Sequence, residues 1–383
     1  MRAGSDPILI GVAGILTFAL LGAIQSLYGP LLPGLQRGFG VETGAAGLVF
    51  AAHGLGALAG ILLPGLVRIP TLTSRWLTVA TGFLLVGAAG ISMAPTWPAM
   101  LAGALVLAVG FGIHVVRLNS LFVAGFGQRS MAMSLLINAA FSVGAVLGPV
   151  VIALSGEPSR RLFIGVAAFA ALLVPVNVAA DRRGRGVTSP ALGHDAKSGE
   201  RTASRRARTV LIAFVALMCL TSGVENCIGG WIATLTLANG YAFSSAANMT
   251  ALFYGSIFSG RLLMAGIGHR ARPAILVMVA IGCVASLLVV ASVSHSSVAL
   301  ALTGFAIAPI FSATLVWLGG ELPTSTHANA LVIAGALLGA ACFPPLVGRI
   351  IGELGATAAP PAILCITLAA VAVAAGIQLA RRR

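Results

Sequence analysis

The chain has 383 residues, 58% of them hydrophobic and only 8% charged, whereas a soluble domain of this length carries about 25% charge. Net charge is +14, and 22 of the 23 basic residues are Arg. A nucleic-acid binder is excluded by where they fall: eight crowd into 182–208 and three close the chain at Arg381–Arg383, the placement of cytoplasmic loops of a membrane protein.

Taken in order, apolar runs long enough to cross a bilayer occupy roughly 8–28, 44–66, 76–94, 99–122, 131–154, 162–180, 209–237, 245–267, 273–292, 297–319, 327–350 and 360–380. These twelve spans predict an all-α membrane protein. The first is read as a spanning helix and not a removed signal peptide, because its apolar run continues past Leu20 without a clear cleavage site. With the N-terminus inside, inner loops and tails collect Arg2, Arg68, Arg75, Arg129, the 182–208 cluster, Arg270, Arg272 and the terminal arginines. The outer side collects Arg37, Arg160, Arg161 and Arg349. That bias predicts both ends in the cytoplasm and a multi-pass protein of the cell (inner) membrane.

Residues 181–208 form the one long polar stretch, rich in Gly, Ser, Pro and Arg, which predicts a cytoplasmic linker. It divides the chain into an N-terminal six-helix bundle (1–180) and a C-terminal one (209–383). A repeat supports the division: shifting 45–65 by 201 positions matches Ala45-Ala46 with Ala246-Ala247, Gly54 with Gly255 and Gly65 with Gly266, and sets His53 against Tyr254. A shift of 196 aligns Ile137 with Ile333 and Pro149 with Pro345. GPLLPG at 29–34 reads as a helix-end turn.

Few polar side chains fall within the spans. Glu225 sits mid-way along the seventh, beside Asn226 and six residues before Trp231. A charge at that depth costs about 3 kcal/mol or more, so it marks a functional site. In the fourth span His114 and Arg117 share a face, with Asn119 pointing elsewhere. Gln25 and Asn138 offer donors and acceptors to a hydroxylated ligand, and Trp231, Trp317 and Tyr254 could stack on a ring or pack. Nothing points to an enzyme, a metal or a cofactor: there is no phosphate loop, and the five cysteines all lie in apolar runs without ligand spacing.

Twelve spans, a central basic loop and a six-plus-six repeat resemble the major facilitator fold, which binds substrate near the midplane between its halves. Within it, three stretches resemble the fucose–galactose–proton symporter family, which includes sodium-dependent glucose transporters. They are Gly223, Glu225, Gly229 and Trp231 followed by Ala246-Ala247-Asn248 and Gly260-Arg261; Gly110-Phe111-Gly112, Asn119, Asn138 and Phe141 through Gly148-Pro149; and GFAIAPIF at 304–311. The resemblance implies a secondary transporter of a monosaccharide, coupled to a proton or sodium and working as a monomer. It makes Glu225, Asn119 and Asn138 look like sugar or coupling positions, and Asn226, Gln25, His114, Arg117 and Trp231 join them as candidates from their place within the spans. With helices 1, 4, 7 and 10 lining the cavity, Arg117 is expected to face Glu225 across it. Arg68, Arg261 and Arg270 become gating residues of the cytoplasmic loops. The family's carboxylates in helices 1 and 4 are missing here, where Gly29-Pro30 and His114-Val115 stand. The sparse charge also suits an efflux pump for hydrophobic compounds, and a membrane sensor that binds without transporting is a third reading.

Overall fold

The computed structural model describes residues 7–67, 75–157, 159–183, 205–267, 271–322 and 328–382. Among these, secondary structure is helical throughout: α1 Pro7–Phe39, α2 Thr43–Leu66, α3 Trp76–Met93, α4 Trp97–Gly125, α5 Ser130–Ser155 and α6 Leu162–Arg183, then α7 Arg205–Ala238, α8 Phe243–Ile267, α9 Pro273–Ser294, α10 Ser297–Glu321, α11 Ala328–Leu354 and α12 Ala359–Arg382. Eleven are apolar enough to cross a membrane by composition. The remaining one, α8, is 25 residues long, about 37 Å at the α-helical rise. Ser244, Ser245, Asn248, Ser256, Ser259 and Arg261 dilute its apolar character.

Two corrections to the sequence reading concern helix ends. α1 runs unbroken through Pro30 and Pro33, so GPLLPG is helix interior and not a turn. The packing of this buried stretch, where Tyr28, Leu31, Leu32 and Leu35 are wholly or nearly wholly covered, outweighs the hydrogen bonds that the prolines delete. At the other boundary α6 reaches Arg183 and α7 begins at Arg205, so Asp181 belongs to a helix and not to the linker. His194 and Asp195 lie outside the described residues. Pro149, Pro344 and Pro345 also stay inside continuous helices, whereas Pro309 interrupts α10 between Ile307 and Ile310.

The same packing occurs twice. α1 lies on α5 and α6, α3 on α4 and α6, and α2 on α4; correspondingly α7 lies on α11 and α12, α9 on α10 and α12, and α8 on α10. α1, α5, α7 and α11 are each followed by a glycine with positive φ (Gly40, Gly156, Gly240, Gly355), a backbone conformation that only glycine adopts without Cβ strain. Close crossings repeat too. Gly144 of α5 meets the backbone of Ala19 in α1, and Gly339 of α11 meets that of Cys219 in α7. Small residues let membrane helices approach this closely. Contacts between the halves pair α1 with α7, α2 with α11 and α5 with α8. The result is two pseudo-symmetric groups of six helices.

Candidate functional site

The halves approach closely where the second parts of α1 and α7 cross and where α2 lies on α11. Gly29 faces the backbone of Gly229 and Gly230, Phe50 of α2 packs on Gly230, Gly47 sits against Pro345 and Trp231, and Gly54 against Ala341. An aromatic series runs through this end. Phe18–Phe141–Phe111–His53–Tyr28–Phe50–Trp231 are linked by centroid separations between 5.1 and 6.5 Å. The His53 ring nitrogen Nδ1 lies 3.3 Å from the Tyr28 hydroxyl.

At the inner edge of this seal, Gln25 Nε2 donates to Asn226 Oδ1 at 3.1 Å, across 201 positions. That separation equals the repeat shift, so the bond joins equivalent positions of the two halves. Equivalent groups can touch only near the axis that exchanges them, and Gln25–Asn226 marks it. Asn226 Nδ2 in turn donates to Ser222 O at 2.9 Å. A carbonyl only accepts, so this bond fixes the Asn226 amide orientation and makes Gln25 the donor.

Glu225 is partly exposed beside this pair. Its carboxylate accepts no hydrogen bond among the described residues. Arg261 of α8 and Tyr254 lie within electrostatic reach of it, and the Tyr254 hydroxyl rests against Gly229. Arg261 is exposed, and its Nη1 reaches across to Ser142 Oγ of α5 at 3.5 Å. One turn from Ser142, exposed Asn138 donates Nδ2 to Ser134 O at 2.8 Å. Asn119 of α4, on the stripe that carries Phe111, donates Nδ2 to Val115 O at 2.8 Å. Gln25, Asn226, Glu225 and Arg261, with Asn138 one turn from Ser142, thus gather along the interface between the halves, the candidate cleft, and Asn119 lies on the α4 stripe that carries Phe111.

The structure does not bring Arg117 to Glu225. Arg117 is 6% exposed inside the first six helices and lies within reach of Asp181. Asp181 accepts from Leu77 N at 3.2 Å, Thr78 N at 2.8 Å and Thr78 Oγ1 at 2.7 Å, supplying a carboxylate to the N-terminus of α3. His114, on the same face as Arg117, is also turned inward and wholly buried. Nδ1 lies 2.9 Å from Gly110 O and Nε2 lies 3.2 Å from Thr81 Oγ1, which Asn177 Nδ2 also reaches at 2.9 Å. Trp231 is wholly buried and donates Nε1 to Pro344 O at 2.9 Å, a packing role that leaves no face for a ligand in this conformation. Arg68 and Arg270 lie outside the described residues. Sequence reasoning missed Asp181 and Ser142. The signal for Asp181 was its spacing of four from Asn177, which puts both on one face of α6.

Residues 14–325 match the family model described as Major Facilitator Superfamily. The chain belongs to the major facilitator superfamily, whose members are transporters and not enzymes. No curated protein sequence matches it. Among solved structures it resembles the nucleoside transporter NupG (TM-score 0.75, 14% identity, covering 98% of this chain and 99% of that one). It also resembles the xylose transporter XylE from E. coli (0.69, 14%, 95% and 96%) and the E. coli fucose–proton symporter FucP (0.61, 17%, 95% and 98%). At these identities the likeness is one of fold.

Proposed function

We propose that this protein is a secondary transporter that moves a small, hydroxylated, sugar-like solute across the cell membrane by alternating access. The observation that carries the reading is the placement of Glu225. A costly intramembrane carboxylate faces the cleft without a hydrogen-bond donor among the described residues, next to the carboxamide pair that marks the pseudo-two-fold axis. Binding at the axis lets one solute touch both halves, which is what a rocking carrier requires. Asn138 and Asn226 offer the polar groups that hydroxyls need, and Asn119 extends them along α4. Nucleoside, xylose and fucose carriers among the structural neighbours support a polyhydroxylated cargo.

In this reading 1–180 and 209–383 rock as two bodies joined by the basic linker, both termini are cytoplasmic, and the protein works as a monomer. The arginine distribution then makes the tightly crossed end the outer one, so the conformation described is closed to the outside. Arg261 acts as a gating residue, because it joins α8 of one half to α5 of the other. A proton or sodium ion supplies the coupling.

The test is counterflow in proteoliposomes with a panel of labelled monosaccharides and no imposed ion gradient. Stereospecific accumulation of one sugar supports the reading. Silence across the panel from folded protein, with uptake of lipophilic cations instead, overturns it in favour of hydrophobic-compound efflux.

A further inference from the structure

The amides of the cleft are not presented evenhandedly. Asn119, Asn138 and Asn226 each spend a side-chain N–H on the carbonyl four residues earlier in their own helix. Since that partner can only accept, the nitrogen must be the arm turned to the backbone, and the oxygen is the arm turned away. The oxygens of Asn119 and Asn138 have no protein partner among the described residues. Asn226 Oδ1 receives Gln25 Nε2, which leaves Gln25 Oε1 as the next acceptor. To these the cleft adds the donor-free carboxylate of Glu225. The aromatic rings of Phe111 and Phe141 lie one to two turns from Asn138 and Asn119 on α5 and α4, and Tyr254 lies near Glu225. Acceptor oxygens, one carboxylate and π faces are the chemistry that receives a cation bearing hydrogen-bond donors.

Arg261 is the counter-argument, since a guanidinium repels a second cation. It makes no ion-pair contact with Glu225 among the described residues, and its Nη1 is engaged by Ser142 of the other half. The carboxylate therefore keeps its lone pairs for a ligand while Arg261 lowers the field of the unliganded cleft.

From this constellation we infer that the solute is a hydroxylated primary amine, of the class of amino sugars and aminocyclitols. Its ammonium pairs with Glu225, and its hydroxyls donate to the oxygens of Asn138 and Gln25 and, along α4, of Asn119. This rests on the transporter reading above and narrows its substrate class.

The experiment is counterflow with matched pairs, D-glucosamine against D-glucose and D-galactosamine against D-galactose. N-acetyl-D-glucosamine serves as a neutral amide and tetraphenylphosphonium as a lipophilic cation, in mildly acidic buffer that keeps the amines protonated. A charge-assisted bond at Glu225 predicts half-saturation by the amine at a concentration at least about tenfold below that for its neutral partner. Acetylation removes the advantage, and Glu225→Gln collapses the gap between partners. Equal or better transport of the neutral sugars overturns the amine inference and leaves the sugar-transporter reading standing. Transport of tetraphenylphosphonium alone overturns both. An amine preference that survives in folded Glu225→Gln overturns the assignment of the ammonium to Glu225. Should that variant not fold, the wild-type ranking of amine against neutral partner still decides.

Discussion

Glu225 and Asp181 are both carboxylates within spanning helices, yet their surroundings assign them different work. Asp181 accepts three hydrogen bonds from the first turn of α3 and lies near Arg117. It is satisfied, 4% exposed, and holds α6 to α3. Removing one partner of such a buried arrangement costs about 3–5 kcal/mol, so Asp181→Ala lowers the thermal unfolding temperature of the purified protein sharply. A variant that retains wild-type stability would show that the clasp contributes nothing. Glu225 has no such bonds to lose. Glu225→Gln is therefore expected to leave the unfolding temperature within a few degrees while cutting transport at least about tenfold, a loss of one charge-assisted contact; unaltered flux would remove it from the site.

Helix crossings are set by where a side chain would collide. A Cβ at Gly144 runs into the backbone of Ala19, whereas one at Gly165 of α6 meets nothing within 4 Å. Gly144→Val must then force α5 away from α1 and lose the packing of that crossing, while Gly165→Ala is neutral. Comparing folded yield and unfolding temperature of the two variants checks this, and equal behaviour would mean that the α1–α5 crossing is slack. α10 is the one long helix among those described that a proline interrupts, at Pro309. Pro149, Pro344 and Pro345 leave their helices continuous. Proline content alone therefore does not locate a bend; the neighbouring packing decides which lost hydrogen bond becomes a break.

Across the whole molecule, contacts that seal one end should open when the halves rock. A Cβ placed at Gly352 of α11 lies 3.9 Å from Cβ of Thr43 in α2, inside the range that a disulfide needs. In a background without the five native cysteines, Thr43→Cys with Gly352→Cys is expected to cross-link under mild oxidation and stop transport, with recovery on reduction. Full transport by cross-linked protein would show that these ends do not part during the cycle, and would overturn the assignment of this face to the moving gate. The experiment also tests the orientation inferred from arginine placement. A membrane-impermeant thiol reagent should reach single cysteines here from outside and not from inside, since Thr43 is half-buried and Gly352 exposed.

Much of the architecture was legible in the chain because bilayer thickness imposes a length on every apolar run. The twelve spans came from that constraint, though both ends of the polar 181–208 segment proved helical, and the repeat of 201 anticipated the equivalence that the Gln25–Asn226 bond makes physical. Glu225 was legible for the same reason, since burying a charge is costly enough to stand out in any apolar run. The direction in which a side chain points around its helix was not. Arg117 and His114 were expected at the cleft because the fourth helix lines the cavity in the fold that the chain resembles, yet their faces of α4 turn into the first six helices toward Thr81, Asn177 and Asp181. Nor could spacing show that Asn138 ties its nitrogen to Ser134 and turns its oxygen outward. Sequence determined how many helices there are and which polar groups are too expensive to be accidental. Tertiary packing decided what each group faces, because facing depends on helix rotation and on neighbours that lie far away along the chain.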